Sequence, residues 1–230
     1  MDIIDVGGMG VRTAVVQLRR KGTPCRFTIY PMIHVGEPSF YRTVRTRLAR
    51  HDLIVQEGIS GPTRAGELLT SVYRSETLQL RLGLQVQPGD LCDVGVPVVR
   101  PDMTGPEFEE RWRGIGLPER AFWYATVPAF GLYTRLFMSR EMLARELFTL
   151  GGDTLAIEEP SGFALHEIVL DQRDALLCAE VTRIHTERCE EDIDVAVVYG
   201  AGHVAPLVAH LRARHGYVPR DAEWLLVFDF

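Results

Sequence analysis

Lysine is almost absent from this chain: Lys21 is the only one, and every other basic side chain is arginine. Schiff-base chemistry is therefore excluded except at Lys21, which sits in a turn. Cysteine is scarce too. Cys25, Cys92, Cys178 and Cys189 form no C-x-x-C pair and no zinc spacing, so they are expected to be reduced and packed, as in a cytoplasmic protein. No basic cluster interleaved with aromatics exists and the net charge is -6, which argues against a nucleic-acid partner. No clean apolar run reaches the roughly 20 residues of a membrane span. The most apolar stretch, Ala121–Met138, is interrupted by Pro128, Gly131 and Arg135 and reads as buried helix. The N-terminal residues lack a basic region followed by an apolar one, so no targeting segment is expected. Internal repeats are missing. Gly7-Gly8-Met9-Gly10 precedes a strand instead of following one, which fails the context of a phosphate loop. Gly58-Ile59-Ser60-Gly61 lacks the full G-x-S-x-G elbow of a serine hydrolase.

What is present is enough apolar residue for a sizeable core: 46% of 230 residues. This length suits one α/β domain over residues 1–230. Val11–Arg20 and Cys25–Ile33 read as strands joined by Lys21-Gly22-Thr23-Pro24, an N-terminal β-hairpin. Ser39–Arg50 has helical spacing, and Leu53–Gln56 is a short apolar strand, giving a β-α-β unit with parallel pairing. If its two strands lie side by side, His34 and Glu57 project at the same sheet edge. Arg64–Leu84 is expected to be helical. Val94–Val99, with Pro97 inside, is expected to be an edge strand followed by a turn at Pro101-Asp102. A helical insertion spans about residues 104–150, with Thr104 and Ser139 as N-caps. A Pro/Gly linker at 158–162 leads into a long helix, Leu165–His185, and Glu223–Phe230 closes the chain as a strand. The fold class is thus α/β: a single domain with a mixed, mainly parallel sheet flanked by helices.

The most informative stretch is Asp192–Leu211. Val195, Val197 and Val198 mark a buried strand, Gly200-Ala201-Gly202-His203 a tight turn, and Val204, Leu207, Val208 and Leu211 a helix. The glycines allow close backbone approach or a positive φ. His203 then stands beyond the carboxyl end of a strand, where open α/β sheets bind ligands. Arg173 falls inside the apolar stripe of its helix, between Leu170 and Leu177, and needs a partner there; Asp174 and Glu57 are the candidates. His210 lies two turns beyond His203, about 10 Å along the helix and too far to share a metal with it. His51 and His185 are expected to be solvated.

A strand ending in histidine, a second ending in Glu-Gly, a helix with Arg-Asp and a late Gly-x-Gly-His resemble the TraB/Tiki/GumN family, which is grouped with ChaN and erythromycin-esterase-like proteins. The family pattern is two G-x-x-H motifs, a glutamate between them and an arginine on a helix before the second. Gly200–His203, Glu57 and Arg173 match it; the first motif reads Pro31-Met32-Ile33-His34, with proline in place of glycine. The resemblance implies a metal-dependent hydrolase, peptidase or esterase-like, with a divalent manganese, cobalt or zinc ion on His34, Glu57 and His203. It implies catalytic roles for His34, Glu57, Arg173 and His203: a histidine as general base where no metal is held, Glu57 as ligand or base, and Arg173 stabilising an oxyanion or orienting Glu57. The implied partner is a small-molecule or peptide substrate, with a homodimer as candidate assembly. The alternatives carried by the same resemblance are a non-catalytic peptide-binding or regulatory protein and a haem- or iron-binding protein of the ChaN kind.

Overall fold

The computed structural model describes residues 3–72, 80–149 and 164–230. Residues 73–79 of the helix expected over 64–84 and the linker expected at 158–162 lie outside the described residues. The sheet contains β1 (Ile4–Gly7), β2 (Gly10–Arg19), β3 (Arg26–Met32), β5 (Leu53–Gln56), β7 (Val98–Val99), β8 (Asp194–Gly200) and β9 (Val218–Phe228). A small second sheet pairs β4 (Val35–Gly36) with β6 (Gln85–Val86). The helices are α1 (Pro38–Leu48), α2 (Arg64–Thr70), α3 (Gly105–Gly114), α4 (Leu117–Phe137), α5 (Arg140–Thr149), α6 (Gln172–Arg188) and α7 (Val204–His215).

The main sheet runs β1-β2-β3-β8-β5-β7, with β9 along the other edge of β2. The pairs β3–β8, β8–β5 and β5–β7 are parallel, whereas β2 is antiparallel to each of β1, β3 and β9. It follows that β2 alone opposes the other strands. The expected hairpin is present, with Arg19 opposite Arg26. The expected terminal strand is longer than the apolar run suggested, because its polar first half, Val218–Glu223, pairs with β2 as well. The expected strand at Val94–Val99 shrinks to an edge strand of two residues, as Pro97 cannot donate to a ladder.

One topological point corrects the sequence expectation. β3 and β5 are not neighbours; β8, late in the chain, inserts between them, with Met32 opposite Gly200 on one side and Gln56 opposite Val198 on the other. The central strands are apolar on both faces, so each must be covered by helices. Ile54, Ala196 and Val198 face a core with Phe40, Val44 and Leu48 of α1 and Trp112 and Trp123 of the helical subregion. Val55, Val195 and Val197 face the opposite core, with Leu177, Val181 and Ile184 of α6 and Leu207 and Leu211 of α7. The carboxyl ends of β3, β8, β5 and β7 therefore open on one edge between two helical layers.

The caps of the helical subregion follow their local signals, but α4, over the stretch expected to be buried, buries only Trp123, Val127 and Thr134 and exposes Tyr124, Leu132, Tyr133, Leu136 and Phe137. Thr104 and Glu107 form a reciprocal capping box at α3, and Ser139 Oγ accepts from the Met142 amide at α5. α2 ends at Thr70, well short of the expected Leu84, and residues 73–79 are not described. The helix expected from Leu165 contains a π-helical segment, Glu167–Asp171, immediately before α6. The four cysteines are free thiols.

Candidate functional site

Every strand of the parallel block delivers a polar side chain to the open edge. β3 is followed by His34, β5 by Glu57, β7 by Asp102 and β8 by the turn carrying His203. Glu57 continues the ladder of its strand, its N–H bonding to the Val198 carbonyl at 3.0 Å. The chain then turns at Gly58, whose φ of 149° suits only glycine. That turn aims the Gly58 N–H at Asp102 Oδ2, 2.9 Å away.

Arg173 is the centre of the charge arrangement. Its residue is 8% exposed, so it needs the partners that its position in an apolar stripe demanded. Nε and Nη2 donate to the two oxygens of Asp102 at 2.9 and 2.7 Å, and Nη2 also donates to Glu57 Oε1 at 2.5 Å. Nη1 reaches the Val169 carbonyl of the π-helical segment at 3.4 Å. The bidentate pair is with Asp102, while Glu57 receives a single arm. Asp174, one of the two partners expected from sequence, does not pair with Arg173. It accepts instead from His203, whose Nδ1 stands 2.7 Å from Asp174 Oδ1. Adjacent residues on a helix point about 100° apart, which lets Arg173 and Asp174 serve different partners.

His203 closes a short 3-10 turn, Ala201–His203, and occupies the N-cap position of α7 without capping it. Its ring is buried, packed edge-on against Tyr199 at 5.6 Å. Since the Asp174 carboxylate only accepts, Nδ1 carries the proton, and in the neutral ring Nε2 is an acceptor. Nε2 faces Glu57 Oε1 at 3.6 Å. The other oxygen of Glu57 accepts from the Gly200 N–H at 2.6 Å. This is the use of the Gly-x-Gly turn. Gly200 has φ -51°, so close approach of backbone to carboxylate, not a left-handed conformation, is what the glycine supplies.

Burial alone pushes the Glu57 carboxyl up, but Arg173, His203 and His34 together hold it well below the usual carboxylate range. Burial opposes the charge on Arg173, and Glu57 and Asp102 more than restore it, so that guanidinium is a permanent cation. His34 lies with Glu57 on the wall of a cleft of about 470 Å³, which also contains Gln56, Gln87 and Arg100. The structure thus sets Glu57 against both Arg173 and His203 and places His34 with Glu57 on the cleft wall, while His203, 1% exposed, and Arg173 do not line that cleft.

Asp102 and Asp174 are the members that sequence reasoning underrated. Asp102 was visible as a third polar residue after a strand, but Pro101 made it look like a plain turn. Asp174 was visible only as a neighbour of Arg173. His51 and His185, expected to be solvated, are largely buried. His51 bonds the Tyr30 hydroxyl at 2.9 Å and approaches Asp194 at 3.3 Å, and His185 contacts Tyr217.

The donor chemistry suits a divalent ion in part. Two ligands each about 2.1 Å from one ion stand about 3.4 Å apart at a tetrahedral angle, close to the 3.6 Å between Nε2 and Oε1. An imidazole whose second nitrogen donates to a carboxylate is the usual arrangement of a metal-bound histidine. Among the described residues, however, no three histidine, cysteine, aspartate or glutamate side chains are gathered as a set that could hold a metal. The pair is in place, and His34 stands on the cleft wall beside it. No family model matches the chain, and no curated protein and no solved structure matches it.

Proposed function

We propose that this protein hydrolyses a carboxylic acid derivative, an ester or a peptide bond, with His203 and Glu57 activating water at the cleft. The carrying observation is the 3.6 Å approach of His203 Nε2 to Glu57 Oε1, both backed by fixed partners. With the ring protonated, Nε2–H faces Glu57 as a cation, the state in which His203 helps to hold that carboxyl down. With the ring neutral these are two acceptors facing each other, and a water molecule or a cation can bridge them. A water there can give one hydrogen to each acceptor. As it attacks the substrate carbonyl, Nε2 takes its proton and later returns it to the leaving amine or alkoxide, as a general base and then acid. Asp174 holds the tautomer and favours the imidazolium that forms. Glu57, kept ionised by Arg173, orients the water and does not itself need to become protonated. Arg173 is committed to two carboxylates and serves to position Glu57, not to bind an oxyanion.

A metal-dependent form of the same function is supported by the Asp174–His203 arrangement. There His203 and Glu57, with His34, would hold a manganese, cobalt or zinc ion, which when bound lowers the pKa of its water and polarises the carbonyl. The two forms are exclusive at Nε2, which is either base or ligand. Both agree with the resemblance of the four anchor residues to TraB/Tiki/GumN proteins.

The test is hydrolysis of simple aryl esters and short peptides by the protein, with chelator or with each metal added. His203→Ala is expected to lose at least about 100-fold in rate, and Asp174→Asn, which favours the wrong tautomer, a similar factor. Activity that survives chelation supports the acid–base form; activity restored only by metal supports the other. Unchanged turnover in His203→Ala under both conditions overturns the proposal.

A further inference from the structure

Beside Glu57, the cleft is walled by two glutamines whose side-chain oxygens the fold leaves unused. Gln56 ends β5, and by strand alternation it shares the face of Ile54, opposite to that of Val55. It is 7% exposed. Its side-chain oxygen is buried with no hydrogen-bond partner. The Gln87 side-chain oxygen is in the same condition, and both residues line the cleft with His34 and Glu57. Gln87 is pinned in position, since its N–H bonds to the His34 carbonyl at 2.8 Å. A buried acceptor without a donor has given up its hydration for nothing, and most buried polar atoms in native proteins avoid that cost. Two such atoms on one cleft wall call for a ligand that brings N–H groups.

Arg100 lines the same cleft. It follows the edge strand β7, and among the described residues no salt bridge joins it to a carboxylate. Arg173, by contrast, is saturated by Asp102 and Glu57. An accessible guanidinium beside unfilled acceptors matches a ligand with an anionic end next to an amide, and a guanidinium grips a carboxylate by two parallel bonds.

We infer that the cleft binds a short peptide, or an acylated amino acid, by its free carboxyl end: the terminal carboxylate on Arg100 and backbone N–H groups on the Gln56 and Gln87 oxygens. This rests on the hydrolase proposal only for the claim that the bound chain is cut. With the carboxyl end held at Arg100, the bond presented to His203 and Glu57 lies near the C-terminus of the peptide. An ester in place of the amide removes an N–H that the cleft was built to meet. Sites of this type discriminate strongly against the analogue that leaves a buried polar atom unpaired.

The experiment is isothermal titration of the intact protein with N-acetyl-alanyl-alanine, its C-terminal amide and the depsipeptide in which lactate replaces the last alanine. Binding of the free acid is expected to be at least about 10-fold tighter than that of either analogue, the energy of one such contact. Arg100→Gln should abolish the preference for the acid over the amide. Gln56→Leu should abolish the preference for the peptide over the depsipeptide. Melting temperatures of both variants check the fold, and Gln56→Leu is expected to melt no lower than the parent because it removes an unsatisfied acceptor. Equal affinity for the three ligands, or no saturable binding at millimolar concentration, overturns the inference. Binding with these preferences but without hydrolysis leaves it standing and removes the enzyme. Hydrolysis of esters and amides without preference does the reverse.

Discussion

At the residue scale the site is held by charge. Arg173 joins Glu57 and Asp102, whose side chains are 15% and 1% exposed. Removing one partner of a buried pair leaves the other uncompensated, at a cost of about 3–5 kcal/mol. Arg173→Met is therefore expected to lower unfolding free energy by several kcal/mol in urea titrations near neutral pH. The pH dependence separates this from simple loss of packing. In the parent protein Arg173, with His203 and His34, holds Glu57 well below the ordinary carboxylate value. A depressed carboxyl stabilises the fold above its unfolded value and loses that contribution as pH falls through the folded one. Without Arg173, only His203 and His34 still oppose burial, so the carboxyl moves up from its parent position. The fold then loses less stability as pH falls through the acid range, and the slope flattens. An Arg173→Met protein with the parent's pH profile would show that Arg173 does not govern Glu57.

At the element scale, α6 is the piece that carries both halves of the constellation, Arg173 toward Glu57 and Asp174 toward His203. Its far end is tied to α7 and the start of β9 by a second polar group. Thr182 Oγ1 lies 2.8 Å from His210 Nε2 and 3.1 Å from His215 Nε2, and the rings of His185 and His215 are 4.4 Å apart. Burial pushes all three histidines below the ordinary value of 6.5; Arg20 adds to this at His185, Arg214 at His210, and the neighbouring histidines and both arginines at His215. A histidine depressed in the fold contributes stability above its unfolded value and loses it as pH falls toward the folded one. The α6–α7 junction should thus weaken from about pH 7 downward. His215→Gln is expected to flatten that decline, read as the change in urea midpoint between pH 7 and pH 5. A decline of equal size in the variant would assign the acid sensitivity elsewhere.

At the scale of the whole molecule, the late insertion of β8 between β3 and β5 governs how the domain closes. The sequence between Gln56 and Asp194 must be in place before the central strand can be paired on either side. Contacts of such long separation make folding slow. They also make the last 40 residues indispensable. A chain ending at residue 190 lacks β8, α7 and β9, leaving β3 and β5 with open edges and α6 with no sheet to cover. It is expected to show no cooperative thermal unfolding by circular dichroism, whereas the full chain melts in one transition. A cooperative transition in the fragment would show that β3 and β5 pair directly, as the β-α-β pattern alone suggests.

Much of this protein is determined by residues acting close to their own position. Strand and helix types, the hairpin at Gly22, the capping box at Thr104 and the placement of His34, Glu57 and His203 after strands all follow from local sterics and apolar periodicity, which residues a few places apart already express. Arg173 in an apolar stripe already required a buried partner. Which partner it takes was decided only in three dimensions, where the order β3-β8-β5-β7 sets Asp102 and Glu57 side by side and gives Asp174 to His203. The same holds for Gln56 and Gln87, ordinary polar residues in sequence, whose unfilled oxygens acquire meaning only through burial on a shared wall. Pairing across the sheet and desolvation are properties of neighbours in space, and the chain brings those neighbours from more than 100 residues away, as in the Arg173–Glu57 contact at a separation of 116.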